Sequence, residues 1–253
     1  MSWLGSENII YIASTIWWIA FFQWIYHVGS KKFLMWTIPN EYGKLSTQKQ
    51  NISRSGVSSA VNGIIMFVCS LYLLLNHNLH DDLCWKDDFY VRLLACVEMG
   101  CYLADTFVLL TGETVEDTAF YIFHHLCIVF GSYIVIVNKV FPFFICLRGL
   151  NEISVPFQHL RQTFYDIGWK NNTIYLVNGL AFLFTFFFGR ICVIPITMYF
   201  ISQIVGTAEL ASVSLFCKVV FLGGVVIIDA LNIYWFSLIS NGAYKLLFKK
   251  KHV

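Results

Sequence analysis

The sequence predicts an all-α, polytopic membrane protein with about seven transmembrane helices. Hydrophobic residues make up 58% of the 253 residues, only 13% are charged, and the mean hydropathy is +0.66. Such a chain has too little polar surface to cover a water-soluble globule. The apolar residues also fall into separate runs of about 20, the length that crosses a bilayer as a helix.

Seven such runs follow one another along the chain. They predict helices at residues 9–28, 57–76, 91–110, 119–137, 140–157, 174–202 and 213–238. The fifth differs from the others because Arg148, Asn151, Glu152 and Pro156 interrupt it. This pattern is typical of a short, kinked or partly re-entrant helix.

The first run is expected to remain as an uncleaved anchor. No basic region precedes it, its apolar core is long, and Lys31 and Lys32 follow it, unlike a cleaved signal peptide. Basic residues are concentrated in the segments after the first, fifth and seventh runs. Because basic loops stay in the cytosol, we expect a lumenal amino terminus and a cytosolic carboxyl terminus.

Residues 31–56, between the first two helices, mix basic and apolar side chains in a pattern typical of an interfacial helix on the cytosolic leaflet. We therefore divide the chain into an anchor with its interfacial segment at 1–51, one membrane domain at 52–245 and a basic cytosolic tail at 246–253.

The tail carries a sorting pattern. Lys250 and Lys251 lie four and three positions from the carboxyl terminus, as in the dilysine signal that coat proteins read when they return membrane proteins to the endoplasmic reticulum. The alternative is a basic tail that only marks the cytosolic interface. We expect a multi-pass protein of the endoplasmic reticulum membrane, with coat proteins among its partners.

The sequence gives no indication of disulfide bonds, a metal site, a cofactor or a nucleic-acid partner. Seven of the eight cysteines lie in or beside apolar runs, where they behave as small hydrophobes, and Cys84 lies in a polar loop without an obvious partner. Neither a CxxC pattern nor histidines at i, i+4 spacing indicates a metal site, and we expect no cofactor. Nucleic acid is not an expected partner. The oligomeric state stays open, with a homo-oligomer as one alternative.

The most informative stretch is FYIFHH at residues 120–125, where His124 and His125 lie inside an apolar run. Ionisable groups at membrane depth indicate function by default. Neighbours on a helix point about 100° apart, so one imidazole should enter a cavity while the other orients it or bonds a neighbouring helix. Asp105 is the expected acidic partner, and Glu98, seven residues earlier, shares its helix face.

Other polar residues at membrane depth are expected to pair inside the bundle. Arg148 and Glu152 are four residues apart and suit a pair along the fifth helix, and Arg190 is expected to pair with Asp229 between the last two helices. Chemistry and structural packing both remain open as roles. The polar core predicted in this way contains Glu98, Arg148, Asn151, Glu152, Arg190 and Asp229.

In this region the sequence resembles the TLC domain, which translocon-associated membrane proteins, ceramide synthases and several lipid proteins of the endoplasmic reticulum share. The resemblance implies a six-helix barrel around a narrow cavity, preceded by one or more helices, and adds Ser154 and Asn232 to the polar core. It covers roughly residues 52–245, through YLADTF (102–107), FYIFHHL (120–126), LRGLNEISVPFQHLRQTF (147–164), FGRI (188–191) and IIDALNIYWF (227–236).

In ceramide synthases the tandem histidines lie in the cavity, and a histidine is implicated in moving a fatty acyl group from coenzyme A to a sphingoid amine. The resemblance implies that His124 and His125 occupy that place and that Asp105 matches an aspartate on the preceding helix. Those enzymes carry paired aspartates on the next helix, whereas this chain has Asn151 and Glu152. This difference is typical of another branch of the family.

Three functions are compatible with these patterns. The first is a protein that handles lipid acyl chains, its expected partners, and influences membrane lipid composition. The second is an acyltransferase with acyl-CoA as substrate, in which a histidine is nucleophile or base. The basic 31–56 segment favours this chemistry, whereas Glu113, Glu116 and Asp117 would repel coenzyme phosphates. The third, a cargo or translocation helper, is disfavoured by the short lumenal loop at 77–90.

Overall fold

The computed structural model describes residues 6–111 and 118–248, and every regular element in these residues is a helix. The all-α prediction is therefore confirmed. The predicted roles of the acidic residues at 113, 116 and 117 and of the lysines at 250 and 251 concern positions outside these residues. The α-helices are α1 (Ser6–Trp24), α2 (Ser30–Thr37), α3 (Pro39–Tyr42), α4 (Thr47–Asn76), α5 (Phe89–Leu110), α6 (Thr118–Asn138), α7 (Pro142–Gly149), α8 (Val155–Asp166), α9 (Thr173–Phe186), α10 (Val193–Ile204), α11 (Ala208–Ser212) and α12 (Leu215–Phe248).

Within residues 6–111 and 118–248, six helical runs are long and apolar enough to cross a membrane. Two of them join neighbouring helices through one π turn each, Ile25–Gly29 after α1 and Phe187–Ile191 after α9. The chain is thus a multi-pass membrane protein, as predicted. The six runs are Glu7–Thr37, Thr47–Asn76, Phe89–Leu110, Tyr121–Asn138, Thr173–Ile204 and Leu215–Lys245.

The fifth predicted helix is broken, as its polar residues and proline indicated. A 3₁₀ turn, Leu150–Ser154, joins α7 to α8, and Pro156 lies in the first turn of α8. Proline lacks an N–H and its ring clashes with the carbonyl four residues earlier, so the α-helix cannot run through this point. The segment is also longer than predicted, because α8 continues to Asp166.

This broken segment nevertheless runs along α4 in the antiparallel direction. Gly149 meets Ser70, an added Cβ on Gly63 would lie 2.9 Å from the Glu152 carbonyl oxygen, and Lys49 forms a 3.1 Å ion pair with Asp166. From position 49 to position 70 a helix rises about 30 Å, the thickness of the hydrocarbon core. The broken segment therefore extends through the same depth as α4, and its glycines allow the close approach.

The predicted interfacial helix at residues 31–56 is not a single helix. Its first residues continue the opening helical run through α2 to Thr37, and its last residues belong to α4. The chain turns at Ile38, whose φ of −137° and ψ of 55° are not helical, because a residue before proline is driven out of the α region. Ser46 then caps α4 by accepting a hydrogen bond from the Lys49 N–H.

The first helical run packs mainly against α5, and its later part also contacts α4. A Cβ on Gly100 would lie 2.5 Å from the Cβ of Trp18, so a glycine is needed where these helices cross. Gln23 Nε2 also donates a 2.8 Å hydrogen bond to the Ala104 carbonyl. The first helical run is therefore packed closely on α5.

All eight cysteines are free thiols, which agrees with the prediction that they form no disulfide framework. Cys84, the one that lies in a loop, is buried rather than exposed. Burial raises the pKa of its thiol to about 11, so the thiol stays protonated at neutral pH.

Candidate functional site

A pocket of about 710 Å³ lies at the end of the bundle where α4 begins and α8 ends. Tyr165 and Tyr121, which are 53% and 39% exposed, lie on its outer side. Glu152 and Arg190, both buried, lie at its inner end. The volume falls within the range of about 300–1,000 Å³ that is typical of small-molecule sites.

His125 is fixed in the pocket wall by α5. Its Nδ1 lies 3.1 Å from Thr106 Oγ1, and its Nε2 lies 3.6 Å from Asp105 Oδ2. The Thr106 hydroxyl donates its hydrogen to the Tyr102 carbonyl, so its oxygen is left to accept from the Nδ1–H of His125. Asp105 in turn accepts a 2.8 Å hydrogen bond from Ser55 of α4. Asp105 therefore lies beside His125, one of the two histidines to which the sequence assigned it.

His124 also lines the pocket but has a different environment. Its ring makes edge contacts with Tyr102 and with Trp235 of α12, at centroid distances of 6.2 and 5.8 Å. Its Nδ1 is buried and has no hydrogen-bond partner among the described residues. Buried polar atoms normally have partners, so His124 is the member of the pair whose Nδ1 is left unsatisfied.

Arg190 closes the inner end of the pocket. The π turn Phe187–Ile191 carries this side chain inward, and π turns inside helices are frequent at functional sites. Its Nε lies 3.0 Å from Ser154 Oγ, its Nη1 3.2 Å from Asn232 Oδ1 and its Nη2 3.5 Å from Glu152 Oε1. The predicted pair between Arg190 and Asp229 is therefore wrong.

Asp229 instead pairs with Arg148. Two parallel hydrogen bonds join the side chains, Nη1 to Oδ1 and Nη2 to Oδ2, the latter at 3.0 Å. The predicted pair between Arg148 and Glu152 is also wrong. The 3₁₀ turn advances about 120° per residue instead of about 100°, so it rotates Glu152 away from the face that carries Arg148.

The predicted polar residues thus fall into two groups. Asp105, His124, His125, Glu152 and Arg190 line the pocket. Glu98 accepts a 3.2 Å hydrogen bond from Ser132, and it lies outside the lining although it shares a helix with Asp105. The other predicted residues outside the lining are Arg148, Asn151, Ser154, Asp229 and Asn232, of which Ser154 and Asn232 hold Arg190.

Sequence reasoning missed His159, a third histidine in the lining. It lies on α8 against Gly56 of α4, where an added Cβ would come within 3.0 Å of the His159 Nδ1. Its place in the matching stretch LRGLNEISVPFQHLRQTF (147–164) was the available signal. In the described residues, no three side chains of His, Cys, Asp or Glu come together as they would around a metal ion.

Comparison with known proteins gives the family. The TLC domain model matches residues 52–241. TLC domain-containing protein 4-B of Xenopus laevis is 27% identical over 234 residues, which cover 92% of this chain and 89% of that protein. TLC domain-containing protein 4-A of Xenopus laevis is 30% identical and covers 81% of each chain. TLC domain-containing protein 4 of Homo sapiens is 23% identical and covers 89% of this chain and 86% of that protein. The chain therefore belongs to the TLC domain family of polytopic membrane proteins.

Proposed function

We propose that this protein binds a long acyl chain of a membrane lipid in the pocket and thereby influences the lipid composition of the endoplasmic reticulum membrane. Membership of the TLC domain family suggests a function related to membrane lipids. The observation that carries the proposal is the pocket of about 710 Å³, which begins beside exposed tyrosines and ends at a buried ion pair.

The chemistry of the wall fits an amphipathic ligand. Asp105 and the three histidines supply polar groups, and the apolar part of the lining includes Leu109, Val155, Phe182, Phe186, Leu238 and Ile239. An acyl lipid has an ester, amide or carboxyl group next to a hydrocarbon chain. Such a polar group would give the unpaired Nδ1 of His124 a hydrogen-bond partner. The hydrocarbon chain would cover the apolar wall.

Filling the pocket is expected to expel the lipid. Ser59 lines the pocket, so the ring of Ser59→Phe would occupy the volume that the chain needs. Native mass spectrometry of the protein purified in a mild detergent is expected to show bound lipid on the wild type and at least a roughly tenfold loss in this variant, about 1.4 kcal/mol in affinity.

Val68→Phe is the matched control, because Val68 lies on the same helix and is 56% exposed on its outer face. The control should retain lipid at the wild-type level. Equal lipid retention by Ser59→Phe and the wild type would contradict acyl binding in this pocket.

The second candidate function is acyl transfer from acyl-CoA, and the distinct environments of the two histidines favour it. An unprotonated nitrogen of His124 would attack the thioester carbonyl and form an acyl-imidazole, while the coenzyme leaves as its thiolate and takes up a proton. An acceptor amine or hydroxyl would then take the acyl group and restore the imidazole. His125, fixed by Asp105 and Thr106, would orient its neighbour.

The proposal includes the orientation of the chain in the endoplasmic reticulum membrane. The turns after α2 and after α8 lie at one end of the bundle, since Lys49 pairs with Asp166. Lys44 and Lys170 occur in these turns, which supports a cytosolic assignment for this end. A lumenal amino terminus and coat-protein retrieval through the lysine tail are consistent with it.

A further inference from the structure

A second, smaller pocket of about 240 Å³ lies between α9 and α12. Its wall is mostly apolar and contains two glycines, Gly179 of α9 and Gly242 of α12. Four residues belong both to this wall and to the lining of the larger pocket: Arg161, Phe182, Leu238 and Ile239. The smaller pocket therefore lies beside the larger one and shares part of its wall, and we call it the side passage.

The side passage leads from the outside of the bundle inward. Leu238 is 52% exposed, whereas Phe182 is 7% exposed. Leu176 and Gly179 lie in the first two turns of α9, and Gly242 lies near the end of the run that crosses the membrane to Lys245. The passage thus lies near the level where lipid head groups meet acyl chains.

Arg161 is the charged group of this passage. Its guanidinium lies over the ring of Tyr175, 4.6 Å from the centroid. A Cβ on Gly179 would lie 2.5 Å from the Arg161 Nη1, so glycine at this position makes room for the guanidinium.

Three other arginines differ from Arg161, which is half-buried, in their partners. Arg92, Arg148 and Arg190 each form an ion pair with a carboxylate. Among the residues that the structure describes, Arg161 has no carboxylate within ion-pair distance. Guanidinium binds phosphate and carboxylate groups through parallel hydrogen bonds. The guanidinium of Arg161 is therefore available to pair with an anionic group of a ligand.

We infer that the side passage binds an anionic membrane lipid, whose phosphate or carboxylate pairs with Arg161 and whose acyl chain passes between α9 and α12 into the larger pocket. The inference rests on the proposed function and adds to it the charge of the lipid and the route by which the lipid enters. The exposed Leu238 marks the outer end of this route, and Phe182 marks its inner end.

The test compares lipids that differ in head group. The full-length protein is loaded in detergent with either phosphatidic acid or phosphatidylcholine of the same chains, and the bound lipid is counted by native mass spectrometry. We expect the wild type to retain more phosphatidic acid than phosphatidylcholine. Arg161→Gln, which removes the charge, should lower this retention about tenfold or more and bring it to the level of phosphatidylcholine.

Two glycine variants separate the passage from a general effect on α12. A Cβ at Gly242 and at Gly223 meets no atom within 4 Å, so both positions accept a side chain. Gly242→Leu would obstruct the passage and should lower lipid retention, whereas Gly223→Leu, outside both pockets, should not.

Competition with excess inorganic phosphate distinguishes a site for a lipid head group from a site for a free anion. Phosphatidic acid that stays bound supports a lipid site, and its complete displacement indicates a free-anion site and overturns the inference.

Equal retention of the two lipids, or an unchanged preference in Arg161→Gln, would also overturn the inference. Neither result would affect the proposed function as long as Ser59→Phe still expels lipid from the larger pocket. Conversely, lipid that stays in Ser59→Phe but leaves Arg161→Gln would overturn acyl binding in the larger pocket and confine the lipid to the side passage.

Discussion

Asp229→Leu is expected to lower the free energy of unfolding by about 3–5 kcal/mol, because it leaves the guanidinium of Arg148 without its carboxylate inside the bundle. Both side chains of this pair are mostly buried, at 17% and 7% exposed. The double variant Arg148→Met/Asp229→Leu should recover most of the loss, since apolar residues replace a buried ion pair at little net cost. Equilibrium unfolding in mixed detergent gives the free energy of unfolding of the wild type, the single variant and the double variant.

The matched comparison is Arg190→Met/Asp229→Leu, which removes the pair that the sequence predicted. It should be less stable than Asp229→Leu alone, because it leaves both Arg148 and Glu152 without partners. Recovery of stability in this variant, and not in Arg148→Met/Asp229→Leu, would contradict the observed pairing. The two double variants therefore distinguish two arrangements of the same four charges.

The two histidine variants are expected to differ in kind. His125→Ala removes the partner of Asp105 and Thr106 and should lower stability by about 1–3 kcal/mol. His124→Ala removes a ring whose Nδ1 has no partner in the described protein, so the fold should remain while lipid retention falls. Thermal unfolding in detergent measures the first effect and native mass spectrometry measures the second. Equal effects of the two variants on both readouts would contradict the division of roles.

The same variants decide the acyltransferase candidate. After incubation with palmitoyl-CoA, that candidate predicts an intact mass raised by one acyl group in the wild type and an unmodified mass in His124→Ala. An unmodified wild type would exclude the acyl-imidazole route. A turnover assay with amine and hydroxyl acceptors covers direct transfer, and the absence of product there would leave lipid binding as the function.

The helices could be predicted because a spanning helix needs a long apolar run, and six runs supply it without interruption. The break in the fifth was also predictable, because Pro156 and its polar neighbours interrupt the apolar run. The prediction of a separate interfacial helix was wrong, because composition alone does not show that α2 continues the first helical run to Thr37.

The site was only partly predictable. Asp105 could be assigned to the histidines because a carboxylate on the preceding helix was the obvious partner, and the structure brings them to 3.6 Å. The arginine pairs could not be assigned, because i, i+4 spacing assumes a continuous α-helix and Leu150–Ser154 is a 3₁₀ turn. The lipid contact that we infer for Arg161 had no signal in the sequence, since it depends on how α9 and α12 meet.

The most direct test of acyl binding in the pocket is photo-crosslinking with a phospholipid that carries a diazirine at the end of its acyl chain, followed by peptide mapping. We predict labels on apolar residues of the lining, such as Leu109 and Phe186, and their loss in Ser59→Phe. Labels confined to outward-facing residues such as Ile64 and Val68, unchanged by Ser59→Phe, would contradict acyl binding in the pocket.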